Sequence, residues 1–153
     1  MKTMLAAMAM LIGTGTAFAQ SGSACLFSPA ELSATLGHTP EAGVESKDRL
    51  GTPSCRYGVK NAAGRYFSVR LVGKCDQKRF ESHARTIQSM SGKANKPLEG
   101  IGDGAYYSPG GTAAARAGGQ CVELSGLRAG AMQPVSEAGA GKLLALAASR
   151  AGK

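Results

Sequence analysis

The chain has 153 residues, of which 43% are hydrophobic and 18% charged, with a formal net charge of +8. That balance excludes a disordered tail and an integral membrane bundle. With 22 glycines, few aromatics and no tryptophan, the side chains are small, so the core is expected to be thin and to need covalent reinforcement.

The chain opens with Lys2, an unbroken apolar run from Met4 to Ile12, and the small-x-small triplet Ala17-Phe18-Ala19. This order predicts a cleaved signal peptide over 1–19, with Gln20 as the mature start. The apolar run is shorter than the ~20 residues that span a bilayer, so no transmembrane segment is expected after cleavage. One domain over 20–153 is expected, exported to the periplasm or secreted.

The first predicted helix starts at Ser28. Pro29 suits the first turn, Glu31 completes a capping box, and Phe27 with Leu32 forms a hydrophobic staple. Gly37 ends the helix, and Leu32 and Leu36 mark its buried side. From His38 to Ser54 there is no period, only Pro40, Gly43, Gly51 and Pro53. This stretch is predicted as a long surface loop, a type of segment that often carries function.

Cys55 to Lys60 and Arg65 to Val72 then read as a hairpin around Asn61-Ala62-Ala63-Gly64. Tyr57, Val59, Phe67, Val69 and Leu71 alternate to one face. Arg56, Lys60, Ser68 and Arg70 fall on the other. Asp76 to Met90 predicts a helix with an apolar stripe of Phe80, Ala84, Ile87 and Met90 and an outward Glu81–Arg85 pair. Ser91 to Gly100 reads as a polar loop. Ala105 to Ser108 predicts a short strand after the Gly102-Asp103-Gly104 turn. Thr112 to Ala117 and Gln120 to Ser125 form a second hairpin at Gly118-Gly119. Pro134-Val135-Ser136 leads into a closing helix that ends near Arg150, with Leu143, Leu144, Leu146 and Ala147 on its apolar side. The order implies an α+β fold: an antiparallel sheet of about five strands, with three helices packed mainly on one face.

Four cysteines, Cys25, Cys55, Cys75 and Cys121, lie in the exported part. An even count in an oxidising compartment implies two disulfides, for which three connectivities are possible. The pairing expected here is Cys25–Cys55 with Cys75–Cys121, tying the opening helix to the first strand and the second strand to a later one. A four-thiolate metal site has no paired-cysteine knuckle to support it. Lipidation of Cys25 is disfavoured, because Gly22-Ser23-Ala24 precede it and no leucine stands three positions upstream.

Several of these short stretches recur together. They are Cys25-Leu26-Phe27 before Ser28-Pro29-Ala30-Glu31-Leu32, then Ser54-Cys55-Arg56-Tyr57, then Gly100-Ile101-Gly102-Asp103-Gly104-Ala105-Tyr106-Tyr107. With the Gly118-Gly119 hairpin and the leucine-rich last helix, they resemble an actinobacterial-type family of small exported proteins and lipoproteins of unknown function. The resemblance spans most of the mature chain and implies an exported α+β domain. It assigns no catalytic residue, and the chain departs from the lipoprotein members in lacking a lipobox.

No signature of a nucleophilic enzyme or a zinc hydrolase is present, and no catalytic residue, metal site or cofactor is expected. The alternative is a small hydrolase or lyase in which His83 acts as a base with a nearby carboxylate such as Asp76. His38, in the long loop, reads as a surface residue. The strongest non-structural signal is the cationic side of the first hairpin, where Arg56, Lys60, Arg70 and Lys74 are the candidate ligand-binding residues, followed by Lys78, Arg79 and Arg85. Such a surface attracts anions. The four tyrosines form no stacking pattern, which disfavours nucleic acid. The expected function is therefore a non-catalytic binding or interaction module for an anionic ligand or protein partner. It would use the basic sheet face or the 38–54 loop, and an inhibitor or immunity protein is one specific form.

Overall fold

The computed structural model describes residues 22–151; the expected signal peptide over 1–19 lies outside them. Helix α1 (Pro29–Leu36) forms where the capping residues call for it. The Ser28 hydroxyl accepts the Glu31 N–H at 3.3 Å, and the Glu31 carboxylate accepts the Ser28 N–H at 2.8 Å. Gly37 ends the helix at φ +74°, a left-handed conformation that glycine adopts without steric cost.

The remaining elements are β1 (Val44–Lys47), β2 (Pro53–Gly58), β3 (Tyr66–Val72), α2 (Gln77–Ser91), β4 (Lys96–Pro97), β5 (Gly104–Ser108), β6 (Thr112–Ala117), β7 (Gln120–Ser125) and α3 (Glu137–Ala151). The strands make one sheet in the order β1-β2-β3-β7-β6-β5-β4, and every pairing is antiparallel. The fold is α+β with three helices, but the sheet has seven strands rather than about five.

Both additional strands are edges. β1 lies inside the stretch expected to be a loop, and all four of its residues are exposed. β4 is two residues long and also exposed. Neither has an apolar face to show as alternation, and both are held by backbone pairing to a neighbour that is already formed. The loop expectation for 38–54 is corrected accordingly: Val44–Lys47 pairs with β2, and Pro53 and Ser54 already belong to β2, which starts two residues before the expected Cys55.

The two hairpins join through β3 and β7, where Val69 stands opposite Leu124 and Leu71 opposite Val122. On one side of the sheet Tyr57, Phe67, Val69, Ala113, Ala115, Val122 and Leu124 are buried under α1 and α3, which contribute Leu32, Leu36, Leu143, Leu144 and Ala147. Phe67 sits between Phe27 and Tyr57, with ring centroids 6.1 and 5.9 Å away. The Tyr57 hydroxyl donates to the Phe27 carbonyl at 2.9 Å, which fixes the entry to α1.

The remaining helix, α2, packs on the opposite side. Phe80 packs on Tyr106, Ala114 and the Cys75–Cys121 bond, with Ala84 and Ile87 partly buried beside it. Met90, expected to extend this stripe, is 79% exposed. It lies about 80° around the helix from Phe80, too far to reach the sheet. The expected Glu81–Arg85 pair also gives way, since Glu81 instead accepts from the Gln77 amide at 2.6 Å.

Both disulfides have the expected partners. Cys25–Cys55 ties the segment before α1 to β2, and Cys75–Cys121 ties the β3–α2 connection to β7. With its sulfur bonded to Cys55, Cys25 offers no thiol for a lipid thioether.

Candidate functional site

α2 lies over β5 and β6 and reaches β3 only near Val72, so among the described residues most of the β1–β2–β3 half of that sheet face has no helix packed on it. Strand alternation places Arg56, Tyr66, Ser68 and Arg70 on this open half. The Arg56 guanidinium stands 4.8 Å from the centroid of the half-exposed Tyr66 ring, a cation–π contact that holds both side chains in place. Hydroxyl pairs line the rest: Ser46 with Ser54 at 2.9 Å and Ser68 with Ser125 at 2.7 Å.

The four candidate binding residues do not form one cluster. Arg56 and Arg70 share the open face. Lys60 lies beyond the end of β2 and Lys74 beyond the end of β3. Because the strands are antiparallel and Gly58 stands opposite Tyr66, these two lysines sit at opposite ends of the hairpin. Arg70 is also committed to carboxylates: Asp48 is 2.5 Å away and Glu123 3.9 Å. Asp48 is built for this role, since it accepts the Leu50 and Thr52 N–H groups at 2.9 Å each. The Thr52 N–H first, and then Arg70, hold its carboxyl down at about 2.

At the boundary between the open half and α2 lies a cleft lined by Arg70, Val72, Arg79, Phe80, His83, Ala114, Glu123 and the Cys75–Cys121 bond. His83 spans it. Its Nδ1 lies 2.8 Å from the Tyr106 hydroxyl, and its Nε2 lies 3.2 Å from the Glu123 carboxylate. The acid beside His83 is therefore Glu123. Asp76 is engaged elsewhere as the N-cap of α2, accepting the Arg79 N–H at 2.7 Å. Burial raises the Glu123 carboxyl, but the hydrogen bond and charge of His83 and the charge of Arg70 outweigh it and leave the group below its ordinary range. Burial, then the Glu123 charge, pushes the Tyr106 phenol well above its ordinary value.

These partners determine what His83 can do. An ionised Glu123 accepts from Nε2–H, which leaves Nδ1 to accept the Tyr106 O–H in the neutral ring. Both nitrogens are then engaged by protein groups. A general base needs a free lone pair within reach of substrate, so the ring as placed cross-links α2 to β5 and β7. His38 is likewise held, its Nε2 2.7 Å from the Gly130 carbonyl, rather than being free on the surface. Among the described residues no group of three His, Cys, Asp or Glu side chains could hold a metal ion.

Glu123 was absent from the expected site because its neighbours on the sheet come from β3 and on the helix from α2, both distant in sequence. The available signal was one acid on the polar side of β7, between Val122 and Leu124. Comparison of the chain with protein-family models, curated proteins and solved structures finds no match.

Proposed function

We propose that the protein is an exported, non-catalytic binding module that holds an anionic ligand or protein partner on the uncovered half of its sheet. The observation that supports this reading is the open face itself, on which paired strands present Arg56 and Tyr66, with Arg70 at the edge beside α2, and on most of which no helix packs among the described residues. Arg and Tyr dominate binding energy at recognition surfaces. Strand pairing and two disulfides fix these side chains before binding, which lowers the ordering cost. Arg56, Lys74, Lys78, Arg79 and Arg85 have no carboxylate at ion-pair distance among the described residues. With the mature chain at +7, down from +8 once Lys2 leaves with the expected signal peptide, they draw acidic partners in a salt-dependent way. Two disulfides fit an oxidising compartment, the periplasm or the exterior. An inhibitor or immunity protein for a secreted or cell-wall enzyme is the specific form this module would take.

The test is a paired variant, Arg56→Glu with Lys74→Glu, both exposed positions. Partner capture from a periplasmic extract is run at about 0.05 M and about 0.5 M salt, so that screening separates electrostatic from apolar binding. The expected result is an acidic partner retained by the wild type at low salt only and not retained by the variant. Equal capture by the two proteins overturns the reading.

The His83–Glu123 contact favours a second reading, a small hydrolase or lyase. It requires Tyr106 or Glu123 to release a ring nitrogen during turnover. Hydrolysis of ester or glycoside probes that is lost in a folded His83→Ala variant would favour this reading over the first.

A further inference from the structure

We propose that the cleft beside α2 is a binding site for a small carboxylate bearing a short apolar group, with Arg79 as the residue that holds the charge. This site borders the open face and shares Arg70 with it, but it does not depend on Arg56.

The floor of the cleft is apolar. It consists of Val72, Phe80, Ala114 and the Cys75–Cys121 bond. The cleft is open on one side and has a volume of about 110 Å³. That lies between the ~15 Å³ that one water needs and the ~150 Å³ of a cavity that holds benzene, so the cleft has room for a short aliphatic group. Ala114 creates this space, because any larger residue at that point of β6 would fill it.

The wall and mouth carry four polar side chains, and three are committed. Arg70 is engaged by Asp48 and Glu123, His83 by Tyr106 and Glu123, and Glu123 by both cations. Arg79 is different. Its guanidinium makes only two long contacts, to the Gly73 and Lys74 carbonyls at 3.4 and 3.5 Å, and no carboxylate pairs with it among the described residues. Its backbone is held by Asp76, so the side chain starts from a fixed point. One uncommitted guanidinium above an apolar floor selects a ligand with one anionic fork and one short apolar substituent. A carboxylate matches the guanidinium in a two-bond geometry. Glu123 in the wall opposes a second negative charge on the ligand, which disfavours phosphate and sulfate. Two sources carry this chemistry: a short acyl acid, and the C-terminal residue of a peptide with a small side chain.

The experiment is an NMR titration of the oxidised, folded protein at constant ionic strength. Sodium butyrate and N-acetylalanine are the two probes, with butyramide and sodium sulfate as controls. The expected result is saturable shifts at the Val72 and Ala114 methyls and the Phe80 ring with one or both carboxylates, and none with either control. Butyrate alone identifies an acyl source, and N-acetylalanine alone a peptide end. Arg79→Gln, an exposed substitution, weakens the apparent affinity about tenfold or more. Ala114→Val, which fills the floor, abolishes the shifts while leaving Arg79 in place. A single Arg56→Glu protein, changed only on the open face, keeps them, which separates this site from that face. Absence of saturable shifts with both carboxylates, equal shifts with sulfate, or an unchanged response in Arg79→Gln overturns the assignment.

Discussion

The Nε2 of His83 and the carboxylate of Glu123 lie 3.2 Å apart, joining α2 to a central strand across the edge of a cleft. The same ring reaches Tyr106 on β5, so one side chain fastens the helix at two points. His83→Ala leaves the largely buried Glu123 carboxylate with only Arg70, 3.9 Å away, and the Tyr106 hydroxyl without its partner. It is expected to cost about 1–3 kcal/mol, the range for orphaning partly buried polar groups. His83→Gln, which can still donate to Glu123, recovers part of that loss. Urea denaturation of the three proteins checks this, and equal midpoints would remove the cross-link from the argument.

Acid is expected to destabilise the fold through three carboxylates. Glu31 is held at about 2, chiefly by the Arg150 hydrogen bond and then by the Ser28 N–H. Asp48 is also held at about 2, and Glu123 is lowered. In each case the folded group binds its proton less readily than the unfolded one, so the unfolded chain takes up protons first as pH falls. This stabilisation is complete above the ordinary values of 4.5 and 3.8 and declines towards pH 2. Thermal unfolding measured between pH 6 and about pH 2 should show the melting temperature falling mainly below about 4.5. Asp48→Asn should flatten part of that slope, and a melting temperature constant across the range would contradict the prediction.

Breaking the disulfides should lower stability sharply. Their closed segments have sequence separations of 30 and 46, for which the chain-entropy account gives about 4 kcal/mol each, an upper figure. The two bonds serve different faces of the sheet. Replacing Cys75 and Cys121 by Ala should loosen α2 and its cluster, seen as faster amide exchange over Gln77–Ser91. Replacing Cys25 and Cys55 should loosen the entry to α1. An oxidised and a fully reduced protein with the same melting temperature would show that the crosslinks contribute nothing.

Gly43, at the entrance to β1, packs directly on the first disulfide. A Cβ there would lie 2.5 Å from the Cys55 sulfur, 2.8 Å from the Tyr57 ring and 3.1 Å from the Cys25 sulfur. Gly43→Ala should therefore cost about 1–3 kcal/mol through overpacking and weaken the β1 edge before the rest of the sheet. Gly22→Ala, with nothing within 4 Å of its added atom, is the matched control. Equal denaturation midpoints for both variants and the wild type would refute the packing argument.

What the amino-acid sequence determined by itself is the local architecture. The Ser28–Glu31 capping box, the alternation of Phe67, Val69 and Leu71, and the glycine pair between β6 and β7 act over a few residues, and their physics is complete within that span. That four cysteines make two disulfides was also within reach, but the choice among three connectivities was not, because it depends on which strands and connections meet in space. Only the tertiary structure decided the rest. Whether Arg70 belongs to a free basic face or to an ion-paired one depends on Asp48 from a distant turn and Glu123 from β7. Whether His83 is a base or a strut depends on Tyr106 and Glu123, brought in by two other strands. The edge strands β1 and β4 exist because a neighbour offers unpaired backbone groups, not because their own side chains demand it. Charge and hydrogen bonding act on neighbours in space, and in an antiparallel sheet those neighbours come from far along the chain.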